Sequence, residues 1–423
     1  NVAVGYSALG ANTASNNTAV GKGALRLNIG GTPNVAVGYV ALEANTTGQE
    51  NTAIGPYAMY ANTTSSRNVA IGYAALDAQT TGSGYNTAVG NNAMTANTDG
   101  HSNTAVGANA LDANTTGDAN VAVGYLALTA ATTGDFNTAA GRAALGANTT
   151  ASNNTAFGYS ALSSNTTGTT NVAVGRSTLE ANTTASNNTG LGYGALAANT
   201  TASYNTALGS LALVANTTGT GISSVGSGAL VANTTGSHNT AMGTTALAAN
   251  TTGSFNLAIG REALAAHTTG NSNTAIGYLA LDASIDGSNN VAIGESALSA
   301  LTGTAGNTAV GKVALEACTG GYNTAVGYQA LQANTTAGNN TAVGHLALGA
   351  NTTAANNTGV GVSALAANVD GTECTAVGKG ALTNATSDDG AVAVGYLAGR
   401  DVNGCTHTTL IGAYAGLGLT TGD

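Results

Sequence analysis

A glycine recurs through this chain on a period of seventeen residues, at Gly5, Gly21, Gly38, Gly55 and Gly72 and onward to Gly378, Gly395 and Gly412. Around it a motif of the form N-T-A-V-G-Y-x-A-L-x-A-N-T-T-G is written twenty-five times in 423 residues. Three steps differ: sixteen from Gly5 to Gly21, eighteen from Gly72 to Gly90, and sixteen from Gly311 to Gly327. A fixed period over the whole length means stacked copies of one unit, none of which can bury its apolar face alone. The expected organisation is a single repeat array over 1–423, regular across 1–390 and divergent across 391–423. There Leu gives way to Gly399 and Gly416, just after Asp388-Asp389 interrupts the turn. The chain starts on the first residue of a repeat and without Met, so a segment of a longer fibre is expected.

Number each repeat from its leading Asn. Position 2 is Thr or Val almost throughout (Val2, Thr18, Val35, Thr52), position 4 is apolar, and positions 3 and 5 are nearly always Ala and Gly. Alternation over positions 2–5 has the period of a β-strand, and Thr and Val carry the branching that strands favour. Ala-Leu at positions 8 and 9 (Ala8-Leu9, Ala24-Leu25, Ala41-Leu42, with Met59 and Met94 as variants) predicts a second short buried segment. The N-T-T-G that follows has turn composition. A-L-x-A-N is too short for a stable helix, and solenoids that pair a strand with a helix need about 20 or more residues per repeat. The expected fold is all-β: a parallel β-solenoid, or β-roll, of about 25 coils of 17 residues, each coil two short strands and two turns.

The strand faces are expected to divide unequally. Positions 2 and 4 read as a β-branched core. Positions 3 and 5 admit only small residues, which predicts a face closed by another chain. The motif glycine then has two candidate causes, a positive φ at the strand end or a surface that admits no Cβ. Asn at positions 1 and 12 (the latter in runs such as Asn148, Asn165, Asn182 and Asn199) predicts amide ladders along the stack.

Composition narrows the partners. Only 7% of residues are charged, yet 43% are hydrophobic, which excludes a disordered chain. A net charge of −10 argues against nucleic acid. No apolar run approaches the ~18 residues of a membrane span, so no insertion of this segment is expected. Cys318 and Cys374 stand at Asn positions about three coils apart, too far for a disulfide, and read with Cys405 as substitutions within ladders.

The segment N-V-A-V-G-Y-S-A-L at Asn1–Leu9, with copies such as Asn290-Val291-Ala292-Ile293-Gly294, resembles the V-A-I-G repeats of YadA-like heads in trimeric autotransporter adhesins. The longer N-T-A-V-G-Y-Q-A-L-Q-A-N-T-T at Asn323–Thr336 also resembles repeats of bacteriophage tail-fibre-like proteins and bacterial surface fibres. The similarity covers the whole chain, although its coil is longer than the adhesin head repeat. It implies a left-handed roll and three chains packed side by side. It further implies a non-enzymatic structural or adhesive fibre, extracellular, on a cell surface or a virion. The partners implied are further copies of the chain, as homotrimer or filament, and surface glycans or host matrix proteins. The alternative is a monomeric glycan- or ice-binding solenoid.

Position 6, just after the glycine, is the candidate binding stripe. It carries Tyr6, Tyr39, Tyr73, Tyr125, Tyr159, Tyr193, Tyr278, Tyr328 and Tyr396, with Lys22, Arg142, Arg176, Arg261, Lys312 and Lys379. Tyr and Arg dominate recognition surfaces, and a Tyr face can stack on a sugar. A tolerant exposed corner explains the same residues. Aromatics just before the leading Asn (Tyr85, Phe136, Tyr204, Phe255, Tyr322) are expected to pack. The turns create N-x-[ST] sequons, giving Asn45, Asn62, Asn114, Asn165 and Asn233 as candidate glycosylation sites, with others at Asn16, Asn153 and Asn339. An inward amide ladder would close the first five to a glycan. The paired Thr of positions 13 and 14 are candidates for O-linked sugars; adjacent residues of an extended segment face opposite ways, which disfavours an ice-binding plane. His101, His238, His267, His345 and His407 are far apart, and Asp99, Asp286 and Asp370 share a position but lie many coils apart. No catalytic residue, cofactor or metal site is expected.

Overall fold

The computed structural model describes residues 1–82, 84–404 and 406–419; Cys405 lies outside them. The chain divides into two compact units, Asn1–Ser210 and Leu211–Asp423. The first unit holds three-residue strands from β1 (Val2–Val4) to β13 (Thr206–Leu208), and the second from β14 (Ser223–Val225) to β25 (Thr409–Ile411). Within each unit every strand pairs in parallel with that of the next repeat, position on position. Val35, Ala36 and Val37 lie opposite Thr52, Ala53 and Ile54 in the first unit, and Val291, Ala292 and Ile293 opposite Thr308, Ala309 and Val310 in the second. Each unit is a parallel β-solenoid of about seventeen residues per turn, with no helix among the described residues.

One strand per coil forms, not two. The Ala-Leu segment is a succession of turns in which positions 7 and 9 are left-handed, as at Val40 (φ 50°) and Leu42 (φ 53°). Alternating left-handed residues do not make a strand, yet the segment still bonds from coil to coil. Leu42 N donates to Ala58 O at 2.9 Å, and Ala44 N to Tyr60 O at 3.2 Å. The left-handed bend costs ~1–2 kcal/mol per residue, and it turns Leu42, Leu162 and their equivalents wholly inside.

The strand faces are the reverse of those expected from the sequence. Ala36, Ala53, Ala70 and the other alanines of position 3 have no exposed surface, whereas positions 2 and 4 face outward. The core is therefore Ala at positions 3 and 8 and Leu at position 9, a cross-section too narrow for a β-branched pair. Both candidate causes of the motif glycine hold, but the neighbour is the next coil and not another chain. Its φ runs from 126° to 145°, and a Cβ on Gly158 would lie 2.6 Å from Gly175 O.

Two asparagine ladders run through the interior. Asn34 accepts at Oδ1 from the Asn51 backbone N–H at 2.9 Å, and its Nδ2 donates to Gly48 O at 2.9 Å. Asn45 Nδ2 donates to Asn28 Oδ1 at 2.7 Å and to the same Gly48 carbonyl at 3.0 Å. Positions 1 and 12 thus converge on the carbonyl of position 15. Cys318 and Cys374 are buried, unbridged members of these ladders. The Cys318 sulfur accepts from Asn334 Nδ2 at 3.3 Å, and burial pushes the Cys374 thiol up to about 11.

Where one core residue grows, its neighbour shrinks. Thr178 replaces Ala at position 8, and Gly190 replaces Ala at position 3 of the next coil, where a Cβ would lie 2.5 Å from Thr178 Cγ2. In the last coils Gly399 and Gly416 replace Leu at position 9, and Leu410 replaces Ala at position 3 and occupies the space beside both. Overpacking a filled core costs ~1–3 kcal/mol. Gly190→Ala is expected to lower the unfolding free energy by about that much, and Thr178→Ala in the same chain to recover most of it. Denaturant titration of the single and double variants measures the coupling.

Candidate functional site

The motif glycine ends each strand, so position 6 is the first residue of the turn and stands outside. Tyr6, Tyr39, Tyr73, Tyr125, Tyr159, Tyr193, Tyr278, Tyr328 and Tyr396 are all exposed. Stacking in register brings some of them together. Over five consecutive coils of the first unit the corner alternates Tyr125, Arg142, Tyr159, Arg176, Tyr193. The Arg142 guanidinium lies 5.8 Å from the Tyr125 ring centre and 5.7 Å from that of Tyr159; Arg176 lies 5.9 Å from Tyr159 and 5.8 Å from Tyr193. These are cation–π distances. In the second unit Arg261 covers the Tyr278 ring at 4.5 Å and donates to its hydroxyl at 2.6 Å.

The remaining tyrosines have different company. Tyr39 and Tyr73 both meet Tyr57, edge to face, at 5.5 and 5.8 Å, and Tyr57 meets Tyr60 at 6.0 Å. Tyr328 stacks on His345 at 5.6 Å, and Tyr396 meets Tyr414 at 5.3 Å. Tyr57, Tyr60 and Tyr414 escape a reading confined to position 6. The available signal was adjacency around the corner, since positions 6, 7 and 10 of stacked coils share one surface. The aromatics that end a coil do not pack as expected: Tyr85, Phe136, Tyr204, Phe255 and Tyr322 are 57–70% exposed, on left-handed backbone. Tyr85 lies beneath Arg67 at 5.3 Å and Phe255 stacks on His238 at 5.1 Å.

Charge pairing along the surface is uneven. Arg26 pairs with Glu43, Arg67 with Glu50, Lys312 with Glu295, Arg400 with Asp401, and Arg261 with Glu262 at 3.7 Å. Arg142 and Arg176 have no carboxylate within 4.0 Å among the described residues.

The five candidate glycosylation sites are closed. Asn45, Asn62, Asn114, Asn165 and Asn233 are buried, each with its amide in the position-12 ladder; Asn165 donates to Asn148 Oδ1 at 3.0 Å and Gly168 O at 2.9 Å. A glycan has no room there in the folded coil. Asn16, Asn153 and Asn339, each the last residue of its coil, are exposed. Of the Thr pair, the position-13 hydroxyl is used between coils, as Thr166 Oγ1 to Thr183 O at 3.0 Å, and position 14 is exposed. A further ladder runs at position 16, where Asp135 accepts from the Asp118 backbone N–H at 2.7 Å and Ser152 from that of Asp135 at 2.9 Å.

Among the described residues no group of three or more His, Cys, Asp or Glu side chains comes close enough to hold a metal ion, and no helix is long and apolar enough to cross a membrane. No protein-family model matches the chain, and no curated protein matches it.

His267 occupies a ladder position. It is wholly buried, its Nε2 lies 2.8 Å from the Gly270 carbonyl and its Nδ1 3.4 Å from Ser284 Oγ. Nε2–H therefore takes the place of an asparagine Nδ2–H and donates to the position-15 carbonyl. Burial holds its pKa below the ordinary 6.5, against smaller opposing effects of that hydrogen bond and of Asp286. With the folded-state pKa depressed, the unfolded chain takes up the proton first, and stability falls as pH drops below about 6.5. His267→Asn, which restores the ladder residue, is expected to flatten the stability difference between pH 7 and pH 5, measured by denaturant titration at each pH.

Proposed function

We propose that this chain is a structural and adhesive segment of an extracellular fibre, on a cell surface or a virion, in which the face formed by positions 2 and 4 packs against further copies of the chain. The supporting observation is the composition of that face. Position 4 points outward, at 36–45% exposure in residues such as Val123, Phe157, Leu191, Leu208, Met242 and Val394. Yet it is Val, Ile, Leu, Met, Phe or Ala in every coil, and no charged residue stands at positions 2–5 in any of them. Position 6, equally exposed, admits Tyr, Lys, Arg, Asn, Pro and Glu. A surface free to face water would vary as position 6 does. Apolar surface that continues from coil to coil marks an interaction face, and an uncharged sheet invites lateral association.

The resemblance of the V-A-V-G and V-A-I-G strands to YadA-like heads supports three copies as the unit, side by side. The expected native mass by light scattering is about three times the 40.5 kDa of one chain. Glutamate at Val123, Phe157 and Leu191, on alternate coils, is expected to reduce it to that of one chain with an unchanged circular dichroism spectrum, because these side chains lie on the outward face of the strand. A wild-type mass of one chain would sink the lateral contact, and an open-ended mass would replace the trimer with a filament.

A further inference from the structure

The five-coil ladder Tyr125–Arg142–Tyr159–Arg176–Tyr193 has a property that the other arginines lack. Each guanidinium offers five N–H donors. In Arg142 and Arg176 these meet the two flanking rings and no carboxylate within 4.0 Å among the described residues. Acidic residues outnumber basic ones 19 to 9 in this chain, and the other four arginines each hold a carboxylate. Two arginines left with free donors, on one line and with a tyrosine between them, form an arrangement suited to an external anion.

Spacing selects the anion. Strands of a sheet stack at ~4.8 Å, so Arg142 and Arg176, two coils apart, present their charges roughly 10 Å from each other. That is about the length of two linked pyranose rings. A tyrosine stands between and beyond the two charges: Tyr159 lies between both guanidiniums, while Tyr125 and Tyr193 each meet an arginine from one side only and are able to stack on the C–H face of a sugar. We propose that this ladder binds a linear acidic polysaccharide that carries a carboxylate on every second sugar. Arg142 and Arg176 grip successive carboxylates through charge-assisted hydrogen bonds, Tyr159 holds the two guanidiniums in place from between them, and Tyr125 and Tyr193 stack on the neutral sugars. A nucleic acid fits less well: two cations on a chain of net charge −10 give little neutralisation of a continuous phosphate backbone. The ligand reading rests on the corner residues and not on lateral assembly.

A hyaluronan decasaccharide, which alternates glucuronate with a neutral amino sugar, is the probe. The chain has no Trp, so its tyrosine emission reports stacking directly, with calorimetry as the second readout. Saturable binding is expected, weakened about tenfold or more in Arg142→Gln/Arg176→Gln, as loss of charge-assisted hydrogen bonds predicts, and also weakened in Tyr159→Ser. Arg261→Gln, whose arginine is already paired, is expected to bind as wild type. The variants alter exposed corners only; unchanged circular dichroism and native mass show that folding and assembly are intact, which separates this test from that of the fibre. Absence of binding, retention in the double variant, or equal binding of poly(dT) or of polygalacturonate, with its carboxylate on every sugar, would each overturn the proposal.

Discussion

Two asparagine amides and one carbonyl set the length of the coil. Positions 1 and 12 reach across the interior to the carbonyl of position 15, and each also bonds its equivalent in the preceding coil, as Asn34 and Asn45 do. A core of alanines and one leucine buries little, so the coil depends on the hydrogen bonds of its polar interior. That requirement explains where the period is allowed to slip. All three irregular steps fall in the turn between positions 13 and 17, and two coincide with a changed ladder residue. The eighteen-residue coil carries Gln79, whose longer side chain donates to Ser65 Oγ at 3.0 Å and accepts from Asn86 and Asn97 at 2.8 and 3.1 Å. The second sixteen-residue coil carries Cys318, and there Asn307 still finds a carbonyl, that of Gly320, at 3.0 Å.

The same narrow interior explains the backbone. With one leucine per coil available to fill it, the chain must deliver that side chain inward from a tight turn, and left-handed backbone at positions 7 and 9 does so. β-branched residues are costly in that region, yet Val40, Thr245 and Val313 occupy it. Hydrogen bonds between coils at these positions hold them there, such as Val40 N to Lys22 O at 2.9 Å and Val313 N to Glu295 O at 2.9 Å. Local preference is overridden by register with the neighbouring coil, the general condition of a solenoid whose units cannot fold singly.

The period, the parallel stacking, the amide ladders and the place of Cys318 and Cys374 within them were all legible, because each follows from identical residues recurring in register. Two features of the coil's backbone were not. The second strand was read from Ala-Leu, but burial period alone cannot tell a strand from left-handed turns that bury the same residues. The faces of the strand were inverted because invariance of small residues was taken for contact with another chain. One signal pointed the other way. Position 2 is Thr more often than Val, and a buried hydroxyl needs a partner that alanine and leucine side chains do not offer. Thr in exchange with Val marks an outward position. The tyrosine corner was legible as exposed, but its grouping was not, because alternation with arginine acquires meaning only once stacking sets the spacing.

Turning the strand over moves the argument for self-association without weakening it. Small residues at positions 3 and 5 now answer to the coil's own interior and neighbour, and ask nothing of a partner. The uncharged, wholly apolar position 4, together with the Thr and Val of position 2, is then left as a surface whose uniformity no intramolecular contact requires. The corner one residue beyond the glycine is under the opposite regime, since Tyr, Arg, Lys, Pro and Asn all fit there with the same backbone. A repeat that holds one outward position constant and releases the next separates two tasks on one coil. The constant face can serve an interaction repeated identically along the stack, while the variable corner can carry a local sequence such as Tyr125 to Tyr193 that occurs in one stretch only.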